Sequence, residues 1–197
     1  STLAGFGAVS QIATLRGMAN AGDKGAALVE IKAVDGLYPA IGTLAIEPAR
    51  PVAELLQRQG ETHGGIVDPV LLARLELKVG DFVNIGAARV ELRAALVSEP
   101  DKIATGVGFG PRLILSQEAL RATGRLQPGS LVRWSYRLIL PATGNDDSRL
   151  TQVLAEVAKA FPEAGWDVRS RVAAAPQFQR NLERDGFNCE ALHSDRT

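Results

Sequence analysis

The sequence predicts an α+β fold, and two kinds of pattern carry that prediction. Apolar and polar residues alternate with a period of two, typical of a half-buried strand, most clearly in 131–140 and also in 89–96. A helical stripe runs through 147–161, where the apolar positions are Leu150, Val153, Leu154, Val157, Ala158 and Phe161. Because the two periods occupy separate stretches, we expect helices packed on a sheet.

The first third of the chain predicts short strands joined by turns. Strands are expected within 9–18, 26–34 and 43–47; in the second of these, Ala27, Val29, Ile31 and Ala33 share one face, while Glu30 and Lys32 lie on the other. Pro51 fits the first turn of a helix that ends at Gly60. His63-Gly64-Gly65 reads as a turn before a short strand at 66–67.

The stretch 71–101 predicts a compact helix and hairpin. Asp68-Pro69 supplies a cap and a first-turn proline for a helix with three leucines on one side (Leu71, Leu72 and Leu75). Turns at 79–81 and 86–87 bracket a strand at 82–85, and the next strand should bury Val90, Leu92, Ala94 and Leu96 opposite Arg89, Glu91 and Arg93.

The remaining elements follow in order. A strand at 113–115 leads to a helix at 117–122 that Ser116 caps. A turn at 127–129 is the best internal boundary, and the strand at 131–140 should place Val132, Trp134, Tyr136, Leu138 and Leu140 in a core. Residues 145–148 cap the long helix, Pro162 ends it, and 166–172 predicts a further strand. No internal repeat is evident.

Composition excludes several classes of function. The 197 residues carry 22 basic and 22 acidic side chains, and without a basic block nucleic acid is not an expected partner. The one cysteine, Cys189, forms no internal disulfide, and no run approaches the roughly 18 apolar residues of a membrane span. The chain opens at Ser1 without an initiator Met, so we expect a processed product or a piece of a longer protein.

The candidate catalytic and metal-binding motifs have plainer interpretations. Gly106, Gly108 and Gly110 do not match a nucleotide-binding fingerprint, and a flexible loop explains them. The chain contains no G-x-S-x-G motif, which would supply a nucleophilic serine for His63 to activate. His63 is therefore interpreted as a turn histidine. Asp146-Asp147 fits a helix N-terminus, and one cysteine with two distant histidines does not form a metal site. We therefore expect no catalytic, metal or cofactor residues.

Four residues are candidate contacts with a partner. Phe109 is a large apolar residue in a glycine-rich loop, which favours exposure to a partner or to lipid. Arg112 borders the same loop. Arg133 and Arg137 lie on the polar face of a strand that we expect beside the strand of Arg169 and Arg171, where they suit an acidic partner. A solvated sheet face is the other interpretation.

Three runs resemble a known family. These are ALVEIKAVDGLYPAIGTLAIEP (27–48), VDPVLLARLELKVGDFVNIG (67–86) and VSEPDKIATGVGFGPRLILS (97–116). In this order they are similar to the extracytoplasmic domain of MacB/FtsX-like ABC transporter permeases, and to the YbbP-type permeases in particular, over about 27–172. The resemblance implies a discontinuous porter-like α+β subdomain (1–60 and 128–175), an inserted β-rich, Sabre-like subdomain (61–127), and a C-terminal helix and disordered tail (176–197).

The resemblance also implies a function without catalysis. The domain would lie in the periplasm as part of an inner-membrane permease that works as a dimer with a cytoplasmic ATPase. It would transmit ATP-driven motion to a periplasmic partner, or to a lipid, lipoprotein or hydrophobic cargo. No cofactor is expected in this domain, because the separate ATPase subunit uses the ATP. A family member should continue from about residue 178 into a membrane helix, where this chain has NLERDGFNCEALHSDRT.

Two rival functions remain at this point. A freestanding periplasmic protein that binds a lipid or another ligand would have an apolar pocket of several hundred Å³ between the two subdomains. A hydrolase would depend on His63.

Overall fold

The computed structural model describes residues 2–100, 110–140 and 147–161. The strands it contains are β1 (Ala8–Asn20), β2 (Ala26–Val34), β3 (Ala45–Glu47), β4 (Thr62–Val67), β5 (Phe82–Ile85), β6 (Ala88–Ser98), β7 (Arg112–Ser116) and β8 (Arg133–Ile139). The helices are α1 (Val52–Leu56), α2 (Pro69–Arg74), α3 (Gln117–Ala122) and α4 (Asp147–Ala160). The predicted α+β class is confirmed.

Six of these strands form a closed ring. Hydrogen bonding runs in the order β2-β7-β4-β6-β5-β1, and β1 pairs again with β2. The β2–β7 and β4–β6 pairs are parallel and the other four are antiparallel. The first half of β1 extends beyond the ring and pairs with β8, while β3 pairs with β6. Ring closure removes free strand edges from most of this sheet.

Two apolar clusters fill the two sides of the ring. The larger cluster takes alternate residues of β1, β2, β6 and β7 together with buried side chains of α2 and α3, such as Leu71 and Leu120. The smaller cluster lies on the other side of β4, β6 and β7, where Leu55 and Leu56 of α1 pack with Ile66 and Ile114. Apolar clusters therefore cover both faces of β4, which explains why all of its residues except Thr62 are buried.

The order of strand, short helix, turn and strand occurs twice along the chain, which the sequence did not reveal. Strands β4 and β7 each lead into a six-residue helix, capped by the side chains of Asp68 and Ser116 respectively. Equivalent turns follow: Asp81 Oδ2 accepts from Lys78 N (2.8 Å), and Ser130 Oγ accepts from Gln127 N (3.1 Å). Strands β5 and β8 come next. Strands β4 and β7 pair antiparallel, with Ile66 opposite Ile114.

The predicted division of the chain at residues 60 and 127 is not where the structure divides. Strands from 1–60 and from 61–127 share the closed ring, and the two compact units are residues 1–141 and 142–197. In the second unit the structure describes α4, whose bounds agree with the predicted helix. The predicted strand at 166–172 and the segment 176–197 lie outside the described residues.

Helix α1 is shorter than predicted. It ends at Leu56 instead of continuing to Gly60, because Gln57 adopts an extended conformation (φ −63°, ψ 150°). Arg93 of β6 meets the end of this helix: its Nη1 donates to Gln57 O at 2.7 Å and to Leu55 O at 3.3 Å. The guanidinium of Arg93 therefore supplies hydrogen bonds to carbonyl groups at the point where a further helical turn was predicted.

Candidate functional site

A buried network of four charged side chains lies at the junction of β2, β6 and β7. Lys32 Nζ donates to Glu99 Oε2 at 3.0 Å and to the hydroxyl of Tyr38 at 3.0 Å. Arg112 Nε donates to Glu99 Oε1 at 3.0 Å, and Arg112 Nη1 pairs with Glu30. Two cations thus balance two carboxylates, as burial of charge requires.

This network joins the two chain ends that flank residues 101–109. Glu99 directly follows β6 and Arg112 is the first residue of β7. The side chain of Glu99 is 1% exposed and that of Arg112 is 10% exposed. The prediction that Arg112 contacts a partner is therefore wrong for this structure, because its guanidinium is directed inward to two carboxylates. Lys32, expected on a polar face, is buried for the same reason.

Strand β8 carries the other two predicted contacts. Arg133 is exposed and Arg137 is half-buried, and they lie opposite Thr14 and Ser10 of β1. The prediction that the aromatic residues of this strand lie in a core is wrong: Trp134 is 40% exposed and Tyr136 is 46% exposed. The burial of β8 changes along its length and does not alternate from residue to residue, so the period-two pattern did not identify a covered face.

Several candidates cannot be placed. Phe109, Arg169 and Arg171 lie outside the described residues, as do Gly106 and Gly108 of the glycine-rich loop. Asp146 is also outside them, and Asp147 is the first residue of α4.

His63 lies inside β4, so its interpretation as a turn histidine is wrong. The residue is 3% exposed, and among the described residues its Nδ1 atom has no hydrogen-bond partner. Burial lowers the pKa of His63, and the nearby positive charges of Arg58 and Arg93 lower this pKa further, while the carboxylate of Glu118 opposes them. The imidazole is accordingly neutral near pH 7. The sequence offered no signal for this burial, because the two glycines that follow favour a turn.

Gly64 allows α1 to approach β4 closely. A Cβ atom at this position would lie 1.7 Å from the carbonyl oxygen of Leu55 and 2.6 Å from Nη1 of Arg93. A side chain would therefore displace the end of α1 and its arginine. The close approach of α1 to β4 therefore explains the glycine at this position.

Two of the cavities that described residues line belong to the unit 1–141. One, of about 300 Å³, has an apolar wall that includes Val52 and Leu56 and a polar rim that includes Asp35 and Gln117. The residues that line this cavity come from both sides of the predicted boundary at position 60. Its volume is at the lower limit for small-molecule pockets. The other, of about 350 Å³, is lined by Arg58, Glu61, Thr62, His63, Ala87, Ala88, Arg89 and Ala122.

Comparison with known proteins supports the expected resemblance. The chain is 34% identical over 110 residues to the uncharacterized ABC transporter permease YbbP of Escherichia coli K12, a match that spans 56% of this chain and 13% of that protein. No protein-family model matches. The described ranges contain no helix long and apolar enough to cross a membrane.

Solved structures share the fold. The extracellular domain of the noncanonic ABC-type transporter YknZ from Gram-positive bacteria superposes with a TM-score of 0.50 at 12% identity, covering 92% of this chain and 79% of that one. A domain described as a permease protein from Porphyromonas gingivalis gives a TM-score of 0.50 at 9% identity, covering 82% and 73%. The chain thus resembles the extracellular domain of an ABC transporter permease, a class of transport protein.

Proposed function

We propose that this chain is the periplasmic domain of an inner-membrane ABC permease, and that it transmits motion of the transmembrane helices to a partner or cargo outside the membrane. The observation that carries the proposal is the 34% identity to YbbP over 110 residues, on a chain whose fold is that of extracellular permease domains. The match spans a small part of that permease. The membrane-spanning segments and the other subunits of the transporter are therefore part of the proposal.

The closed ring is rigid enough to act as a lever. A six-stranded ring with a packed interior and two apolar clusters resists deformation, because bending it would break hydrogen bonds or open the core. Such a unit moves as a rigid body when the segments that lead into it move. Lipids, lipoproteins and hydrophobic compounds are the cargoes we infer.

The proposal assigns nucleotide chemistry to another subunit. ATP is bound and hydrolysed by a cytoplasmic ATPase that docks on the full-length permease, and two permease copies act together. This domain itself holds no cofactor. Its task is to couple movement to the substrate, with no bond made or broken on its own residues.

Surface labelling in intact cells tests the location. Val97 is 66% exposed on β6, so a single Val97→Cys change in a Cys189→Ser background gives an accessible thiol in the full-length protein. We expect a membrane-impermeant maleimide to label this thiol from outside once the outer membrane is permeabilised. As a matched control, Val29→Cys places the thiol at a fully buried position of β2 and should remain unlabelled until the protein is denatured. Labelling of the Val97→Cys protein only after the inner membrane is broken would contradict the proposal.

A further inference from the structure

The cavity of about 300 Å³ beside α1 opens onto the smaller apolar cluster of the ring. Three of the residues that line it, Val34, Tyr38 and Leu56, belong to that cluster, and Val52 packs against it. The accessible surface of the cavity is mostly apolar. An apolar group that enters the cavity therefore extends the cluster and loses its contact with water.

The two walls of this cavity are held in place by separate contacts. On one side, Arg93 fixes the end of α1 by donating to Leu55 O and Gln57 O. The other side is the segment that follows β2, where the hydroxyl of Tyr38 accepts from Lys32 Nζ at 3.0 Å. Because each wall has its own anchor, the gap between the walls is preformed, as is usual for small-molecule sites.

The polar side chains at the rim of the cavity already have partners within the protein. Four of them make a hydrogen bond or an ion pair there: Asp35, Ser116, Gln117 and Glu118. The carboxylate of Asp35 accepts from the Ser10 hydroxyl and from Leu37 N, both at 3.0 Å. Glu118 Oε1 lies 3.7 Å from Nη1 of Arg58. Since these groups need no ligand charge to complete them, the site favours a neutral, apolar ligand.

We propose that this cavity binds the aliphatic chain of a small neutral compound between α1 and the segment that follows β2. Val34, Val52 and Leu56 supply its apolar contacts, and burial of methylene groups drives binding. The inference deepens the proposed function by naming a substrate class, and it rests on that function for the biological role of the ligand. Binding itself does not depend on movement of the domain.

Methyl NMR of the 197-residue chain, labelled with ¹³C at its Val and Leu methyl groups, tests the site. The linear alcohols butanol, pentanol and hexanol are titrated separately. We expect saturable shifts of the methyl resonances of Val34, Val52 and Leu56. Val70 serves as the reference, because it is 53% exposed on α2 and does not line the cavity. Each added methylene should tighten binding about fourfold, the equivalent of about 0.8 kcal/mol per buried CH₂.

Two matched substitutions separate binding in the cavity from general attraction of alcohols to the protein surface. Ala53 lines the cavity on α1, so Ala53→Phe places a ring in that space and should weaken hexanol binding about tenfold or more. Ala73→Phe, on α2 and outside the lining, should change hexanol binding by less than about twofold. Both alanines are exposed, so both variants should fold.

Three results would overturn the inference: shifts that do not saturate, an affinity that does not rise with chain length, or equal hexanol binding by the two variants. Hexylammonium and hexanoate provide a further check, because tighter binding of either ion than of hexanol would contradict a neutral ligand. Failure to bind the alcohols would leave the location and the movement of the domain untouched. The inference and the proposed function are therefore tested separately.

Discussion

Glu99 and Arg112 meet through a 3.0 Å hydrogen bond from Nε to Oε1, across the gap between the end of β6 and the start of β7. The other oxygen of Glu99 accepts from Lys32 at 3.0 Å. One carboxylate therefore contacts two cations that two different strands contribute. Because all three side chains are buried, the energetic effect of removing the carboxylate should be large.

Replacing Glu99 with Gln should destabilise the protein by about 3–5 kcal/mol, because it leaves two buried cations with a single carboxylate, Glu30. Urea unfolding followed by far-UV circular dichroism measures the change. The matched control is Glu54→Gln, which breaks an exposed pair with Arg50 and should cost less than about 0.5 kcal/mol. Equal costs for the two variants would mean that the buried network does not hold the base of segment 101–109.

Gly64→Ala should destabilise the protein by about 1–3 kcal/mol, the range typical of overpacking. The new methyl group would meet the carbonyl oxygen of Leu55 at 1.7 Å, so α1 has to move. Gly36→Ala is the control, since no atom lies within 4 Å of a Cβ there. Thermal unfolding of both variants checks the prediction, and a Gly64→Ala protein as stable as the wild type would rule out the close contact between α1 and β4.

The pKa of His63 predicts a pH dependence of stability. Burial holds the folded-state pKa below the ordinary value of 6.5, so the unfolded chain binds a proton first as the pH falls. The contribution is fully favourable above pH 6.5 and is lost as the pH falls from there through the folded-state pKa. Urea unfolding of the wild type and of His63→Gln should show a stability difference that moves against the wild type between pH 8 and pH 5. A difference that does not vary with pH would place the imidazole in solvent.

The two helix caps should contribute similarly, because the repeat places them at equivalent positions. Asp68→Ala and Ser116→Ala should each cost about 1 kcal/mol. The caps lie on separate helices with no shared partner, so the double variant should cost about the sum. Chemical denaturation of the three proteins gives the comparison. If Asp68→Ala and Ser116→Ala lowered the free energy of unfolding by strongly unequal amounts, the two caps would not be energetically equivalent.

Local patterns were sufficient to predict most elements. The strand at 82–85 and the helix at 117–122 have the predicted bounds, because turn residues and a capping serine define them within a few positions. The match to permease domains also followed from motif order. Each of these signals acts over a short stretch of sequence.

Long-range features were not predictable in the same way. Lys32 reads as a solvent-facing residue until its partner Glu99, which lies 67 positions later, is known. The burial of Arg112 likewise depends on Glu30 and Glu99, which are distant from it in the sequence. Closure of the ring depends on the pairing of β1 with β5, which are more than 60 positions apart in the chain, as Ala19 opposite Ile85 shows. The His63 cavity depends on residues from four separate segments.

Distance measurements in the full-length permease test the proposed lever most directly. Spin labels at Val97 of two copies report how the domains move relative to each other, and a Val70–Val97 pair in one copy, diluted with unlabelled protein, reports the shape of the ring; both positions are exposed. Comparing nucleotide-free and ATP-trapped states by electron double resonance, we expect the distance between copies to shift by more than the width of its distribution while the Val70–Val97 distance stays fixed. An unchanged distance between copies, or a ring that itself changes shape, would contradict the account.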